Sequence, residues 1–412
     1  MERIQKTYIW DKNISWGKMI FLSGPRQVGK TTFARKALKK RKSENLYFNW
    51  DDPFVFRMYN KNPHFLTKYL AACGNRNPLA VFDEIHKIKN WKNIVKGIYD
   101  VYKDECQFLI TGSARLEYFT KSGDSLAGRY FHYRMFPLGL SEAVGNLAEV
   151  MNDDSIFLKG NGKKLLKFIS GKIKDKKADF TNWLEFGGFP EPFLKSSARF
   201  TLKWQRNYLT LLTREDIREL TRINDISGLE QLVLMLPGKT GSPLSINSLS
   251  EDLNVNYRTV FTWLEALKKI YLVFSIMPWT SKINRALKKE HKYYFYDWAV
   301  IKDKAINFEN AVAVSLLRMV NRWNEYGMGD YGLRYIRDRN KKEVDFLIIK
   351  NGNPLLLIEC KLHDSKLSQT GKRFSDILGV PYIQLVTDKD VLEAYKDDKY
   401  LISAPRFLYF TG

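Results

Sequence analysis

A short apolar run, Met19–Ser23, leads straight into Gly24-Pro25-Arg26-Gln27-Val28-Gly29-Lys30-Thr31, and a helical stretch follows from Thr32. Strand, glycine-bearing loop and helix in immediate succession form a phosphate-binding loop, and they commit the start of the chain to a parallel α/β sheet. Gly24 and Gly29 let the backbone curl until its N–H groups and the helix N-terminus face phosphate oxygens. Lys30 is placed to reach β- and γ-phosphates and the Thr31 hydroxyl to ligate Mg²⁺, while Pro25, Arg26, Gln27, Val28 and Thr32 complete the cradle. The implied ligand is ATP with Mg²⁺.

Further apolar runs at 46–50, 79–82 and 108–111 alternate with helical stretches, as a parallel sheet requires. The run 79–82 delivers Asp83 and Glu84 at its end. Asp83 is expected to hold Mg²⁺ through water, and Glu84 to orient or deprotonate the attacking water. A solvated Asp-Glu pair is the plainer alternative, and the upstream loop weighs against it. The run 108–111 ends in Thr111-Gly112-Ser113-Ala114-Arg115, where Ser113 is the chosen sensor of the γ-phosphate. Arg129, in Leu126-Ala127-Gly128-Arg129, reads either as a charge stabiliser acting on a neighbouring subunit of a homo-oligomer or as a plain surface arginine.

With 412 residues the chain exceeds one ordinary core, and two or three domains are expected. Hydrophobic residues at 44% and aromatics at 14% suffice to fill them. The longest apolar runs, such as 270–279, fall short of the ~20 residues of a membrane helix, and the N-terminus has no signal-peptide core. No membrane association and a cytoplasmic location are therefore expected. Cys73, Cys106 and Cys360 lack the spacing of a disulfide framework or a zinc site. A net charge of +22 attracts polyanions, with DNA the leading partner and a merely lysine-rich surface the alternative. Residues 159–177 hold eight lysines against one aspartate and read as a mobile, exposed insertion.

Residues 204–236 are helical by apolar spacing and stop at Pro237-Gly238. Then 246–253, a turn at 254–256 and 257–269 have helix-turn-helix spacing, and strand-like runs at 271–277 and 293–296 supply a wing. As a DNA module this segment would present Asn256, Tyr257, Arg258 and Thr262 to a groove. Phosphate contacts would come from Lys268, Lys269, Lys282, Arg285, Lys288 and Lys289. The alternative is a packing module. The last stretch reads αβββαβ. Asp345 lies on one of its strands and Glu359 and Lys361, two apart, share a face of the next. Asp345 and Glu359 would hold Mg²⁺ with Glu309 from the preceding helix, Lys361 would position or activate water, and Gln384 would approach the same centre. The bare Asp, Glu-x-Lys pattern equally fits ordinary alternation on half-exposed strands.

The set Gly24 through Thr32, Phe82-Asp83-Glu84-Ile85-His86-Lys87 with Trp91, Thr111-Gly112-Ser113, 126–129, Pro137-Leu138 and Gly187-Gly188-Phe189-Pro190-Glu191 occurs in one order. With Glu343-Val344-Asp345-Phe346 and Ile358-Glu359-Cys360-Lys361 it resembles, over nearly the whole chain, a prokaryotic family of AAA+ ATPases with a C-terminal restriction-endonuclease-like domain. His86 departs from the usual glutamine and Gly139 from a serine. The resemblance implies an α/β fold in four parts: a P-loop AAA+ parallel-sheet domain (1–140), a helical lid and linker (141–240), a winged helix (241–300) and a PD-(D/E)XK nuclease-like αβββαβ domain (301–412). It implies an ATP-hydrolysing protein that engages DNA and carries a tethered nuclease-like domain. The alternative is a nucleotide-dependent DNA- or protein-binding switch whose nuclease-like domain is non-catalytic.

Overall fold

The apolar runs of the first 112 residues are strands of one sheet: β1 Met19–Ser23, β2 Tyr47–Asn49, β3 Leu79–Asp83 and β4 Gln107–Thr111, joined by β5 Tyr130–Arg134. Their order is β2-β3-β4-β1-β5, parallel throughout. β1 and β3 are buried at every position, as strands covered on both faces must be. β5 lacks an apolar run because it is a partly exposed edge strand, Tyr130-Phe131-His132-Tyr133-Arg134, in which only Tyr133 is buried. It is held by stacking of Tyr130 on Phe21 at 4.3 Å between ring centroids.

The computed structural model describes residues 1–10, 17–74, 77–112, 126–145, 147, 162–170, 177–220, 223–280, 290–364, 366–388 and 390–411. They fall into two compact units. One is Arg3–Phe136 with Lys269–Tyr271, and the other is Pro137–Lys268 and Leu272–Gly412 with Met1–Glu2.

In the second unit the helical stretch expected over 204–236 is divided. An α-helix Ala198–Leu211 passes through a π-turn Leu212–Asp216 into Ile217–Leu220, and a separate helix Ile226–Met235 follows. Asp225 decides the break: its carboxylate accepts a hydrogen bond from Gly228 N at 2.8 Å and starts a new helix. Of the lysine-rich stretch 159–177, residues 159–161 and 171–176 lie outside the described residues, and the part 162–169 is a helix rather than an irregular insertion. Its Leu165 and Ile169, four apart, are buried, and Phe168 meets Phe410 at 5.0 Å. Lys164 and Lys167 are exposed on the solvent side of this amphipathic helix.

Helices Ile246–Asp252 and Tyr257–Lys269 lead into an antiparallel hairpin, β6 Val273–Pro278 and β7 Lys292–Phe295. The C-terminal elements follow in the order expected: helix Lys304–Glu325, β8 Tyr331–Arg337, β9 Glu343–Lys350, β10 Asn353–Lys361, helix Gln369–Leu378 and β11 Tyr382–Val386. β12 Leu392–Tyr395, β13 Lys399–Ser403 and helix Ala404–Thr411 extend that pattern. The hairpin is not a separate wing. β6 pairs in parallel with β8 through Met277↔Arg334 and Pro278↔Tyr335, giving one eight-stranded sheet in the order β12-β13-β11-β10-β9-β8-β6-β7. Leu347 and Leu357 pack with Phe374 of the helix Gln369–Leu378. Phe346, one residue along and so on the opposite face, meets Tyr294 of β7.

Asp297, just past β7, is 6% exposed and accepts hydrogen bonds from Gln205 Nε2 (2.9 Å) and Ala299 N (3.2 Å). Burial raises its pKa to about 6, against the pull of those two donors. An acid whose folded pKa is raised contributes stability below its unfolded pKa and loses it as pH rises through the folded value. A shift from 3.8 to about 6 corresponds to roughly 3 kcal/mol lost by neutral pH. Asp297→Asn keeps an acceptor for Ala299 and removes the buried charge. Thermal melts should show the variant gaining on the wild type between pH 4 and pH 7, by several degrees at the upper end. Parallel pH profiles for the two proteins would contradict this.

Candidate functional site

In a parallel sheet the C-terminal ends of β1, β3 and β4 share one edge, and this brings residues 24–30, Asp83, Glu84 and Thr111 together. The loop needs its glycines. Gly24 has φ 141° and Gly29 φ 103°, and a Cβ on Gly24 would collide with the Met135 carbonyl oxygen. Pro25 and Val28 are buried, Arg26 is half-buried, and Gln27, Thr31 and Thr32 are exposed along the loop and first helical turn. Lys30 is 6% exposed and donates to the Gly24 and Pro25 carbonyls at 2.9 and 2.6 Å.

Asp83 is 2% exposed, and hydroxyl donors orient both of its carboxylate oxygens. Thr31 Oγ1 and Tyr47 OH donate to Oδ2 at 2.8 and 2.7 Å, and Thr111 Oγ1 donates to Oδ1. Burial, reinforced by Asp83, pushes the Tyr47 phenol up to about 12, so it stays a donor. Glu84 follows with φ 59°, its N–H donating to Thr111 O at 3.0 Å. His86 Nε2, buried, is 3.3 Å from Glu84 Oε2. Burial raises the Glu84 pKa, Lys30 opposes this and Asp83 adds to it. The result is a carboxylate that takes up a proton more readily than a solvated one. Tyr47 and His86 are contributors that sequence reasoning missed; His86 was noted only as a departure from a family pattern.

Ser113, Lys282, Arg285 and Lys288 lie outside the described residues. Arg129 precedes β5 at the opposite edge of the sheet from the phosphate loop, about five residues or roughly 16 Å along the strands. Its guanidinium pairs with Asp100 at 3.0 Å, which supports the surface-arginine reading. Arg258 is exposed, as are Tyr257 and Phe261, whereas Lys268 is tied to Glu265 at 2.6 Å. Asn256 is engaged as a helix cap, its Oδ1 accepting from Thr259 N at 2.8 Å.

The C-terminal carboxylates do not assemble as expected. Lys292 Nζ, from β7, stands 3.7 Å from Glu309 Oε1, 3.9 Å from Asp345 Oδ1 and 3.1 Å from Glu343 Oε1. Glu359 is turned elsewhere. Its Oε2 accepts from Ser368 Oγ (2.6 Å) and Tyr382 OH (2.7 Å), and its Oε1 pairs with Lys361 Nζ at 3.0 Å. Asp345 Oδ2 is taken by Cys360 N at 2.8 Å. Gln384, fully buried, is occupied by Ser368 N at 2.8 Å. Among the described residues no group of three or more His, Cys, Asp or Glu is arranged to hold a metal ion. Glu309, Asp345 and Glu359 thus do not fit the Mg²⁺ expected of them, and the cation that the first two face is an ammonium. Burial raises the pKa of Glu309 and of Asp345. Burial also pulls Lys292 down, but the three carboxylates outweigh it and its pKa is raised.

Residues 17–144 match a family described as an AAA domain, and 177–309 and 306–407 match two domains of unknown function. An uncharacterized protein of Methanocaldococcus jannaschii is 25% identical over 370 residues, covering 87% of this chain and 78% of its own. One of Mycobacterium tuberculosis is 21% identical over 344 residues, covering 82% and 68%. Among solved structures, the Aeropyrum pernix ORC1 protein in complex with DNA aligns at a TM-score of 0.32 and 14% identity, covering 72% of this chain and 86% of that one. AMPPCP-bound DnaA from Aquifex aeolicus aligns at 0.31 and 12%, covering 65% and 88%. No helix among the described residues is long and apolar enough to cross a membrane.

Proposed function

We propose that this chain, with an AAA domain over residues 17–144, binds and hydrolyses ATP and acts as a nucleotide-dependent switch that engages DNA. The observation that carries the proposal is the convergence of Thr31, Asp83 and Lys30 on one sheet edge, with the Thr31 hydroxyl already bonded to Asp83. Loop N–H groups and Lys30 bind and orient the phosphates. Mg²⁺, when bound with ATP, would neutralise charge on the β- and γ-phosphate oxygens, and Thr31 and Asp83 are the residues to hold it. Glu84 accepts the proton of the attacking water, and His86 holds its carboxylate in place.

Of the two readings of the C-terminal domain, the lysine among its carboxylates favours the non-catalytic one: a nuclease-like fold that binds DNA or a partner without cutting it. The helix pair Ile246–Asp252 and Tyr257–Lys269 supports the helix-turn-helix part of the winged-helix reading of 241–300, and the net charge of +22 with the exposed Arg258 on the second helix supports DNA engagement. The test is phosphate release from ATP by the full chain with Mg²⁺, read beside a salt series of affinity for duplex DNA. We expect Mg²⁺-dependent release and a steep salt dependence, with the slope falling by about 0.9 on Arg258→Ala. No phosphate release would remove the ATPase assignment, and DNA affinity indifferent to salt would remove the DNA assignment.

A further inference from the structure

Lys292 is fully buried, yet it carries an ammonium, and burying an unpaired charge is prohibitive. Its surroundings resolve the cost. Three carboxylates from two elements surround it: Glu309 on the helix Lys304–Glu325, and Glu343 and Asp345 on β9. The Tyr335 ring centroid is 5.4 Å away, within reach for a cation–π contact. Tyr294 OH, also from β7, donates to Glu309 Oε1 at 2.7 Å and fixes that carboxylate. The three carboxylates need a nearby positive charge, since like charges so close otherwise repel.

A divalent ion meets that need through several oxygens at roughly 2.0–2.6 Å. Here Glu359 is committed to Ser368, Tyr382 and Lys361, and Asp345 Oδ2 to Cys360 N. Lys292 Nζ stands 3.1–3.9 Å from one oxygen each of Glu343, Glu309 and Asp345. A dication beside it would meet the repulsion of a buried ammonium. We infer that Lys292 is an internal counter-cation standing where a divalent metal would otherwise be held, and that it charge-locks the β6–β7 hairpin onto the C-terminal sheet. The arrangement has a local cause: β6 joins β8 edge to edge, and this carries β7 with its lysine to the carboxylates. The inference rests on the non-catalytic reading of this domain and is independent of the ATPase reading.

The test is a Mn²⁺ titration of the full chain without nucleotide, followed by calorimetry or electron paramagnetic resonance. The readout is the part of binding that Asp345→Asn removes, so ions at the phosphate loop do not count. For the wild type we expect no Asp345-dependent binding. For Lys292→Ala, with folding checked by circular dichroism, we expect an Asp345-dependent Mn²⁺ binding that is at least tenfold above the detection limit and that the wild type lacks. Asp345-dependent Mn²⁺ binding by the wild type would overturn the inference, and this arm needs no variant at position 292. So would a folded Lys292→Ala protein that gains none. A parallel assay of plasmid DNA with Mn²⁺ keeps the two claims apart: metal binding without cleavage sinks the counter-cation but spares the non-catalytic reading, whereas Asp345-dependent cleavage by the wild type sinks both.

Discussion

Replacing Glu84 with glutamine is expected to leave ATP binding within a few-fold of wild type while slowing hydrolysis by about 10²–10⁴-fold, the range for removal of a positioned general base. Glutamine keeps the side-chain shape and can still face His86 Nε2, which is 3.3 Å from Glu84 Oε2. What it loses is the ability to take a proton. Burial raises the Glu84 pKa above the ordinary 4.5, and this sets the sign of a second readout. The base works only when ionised, so the acid limb of the wild-type rate profile should lie above the usual carboxylate range and should be missing from the variant's residual rate. Binding measured with a fluorescent nucleotide and turnover measured by phosphate release decide the matter. Unchanged turnover would move the proton acceptor elsewhere.

Lys30→Ala should act one step earlier, on binding itself. A charge-assisted hydrogen bond contributes about 1.5–3 kcal/mol, so the loss should be roughly ten- to more than a hundredfold in affinity. The loss in turnover should be larger, because negative charge shifts toward the bridging and leaving-group oxygens in the transition state, where an ammonium at Lys30 would stabilise it. The ammonium also donates to the Gly24 and Pro25 carbonyls. Its removal therefore leaves two loop acceptors without that donor and loosens the curl that Gly24 makes against Met135. Wild-type nucleotide affinity in the alanine variant would remove the phosphate-loop assignment altogether. Comparison with Glu84→Gln separates the roles: one variant should hold nucleotide without hydrolysing it, the other should fail to hold it.

Much of the proposed nucleotide site was readable before any tertiary contact was known. Residues 24–31 and Asp83-Glu84 declare themselves because their geometry is local: a loop between a strand and a helix, and a carboxylate pair at a strand end. Even the Thr31–Asp83 bond, spanning 52 positions, follows once both are placed on one edge of a parallel sheet. The strand β5 escaped, since a partly exposed edge strand interrupted by His132 and Arg134 has no continuous apolar run. The helix Gly162–Ile169 escaped because its lysines mask a stripe as short as Leu165, Phe168 and Ile169. Tyr47 and His86 carry no spacing signal at all; their part in the site comes from β2 pairing with β3 and from the turn after Asp83.

The same division governs the C-terminal unit. Residue order determined that a helix, three strands, a helix and a strand would follow one another, and that Glu359 and Lys361 would share a face, because periodicity is a property of consecutive residues. Which charge Glu309 and Asp345 would meet was decided only by tertiary structure. Pairing of β6 with β8 delivers Lys292 from a hairpin outside the αβββαβ pattern, and the low dielectric of a buried site then makes that one ammonium dominate the chemistry of its neighbours.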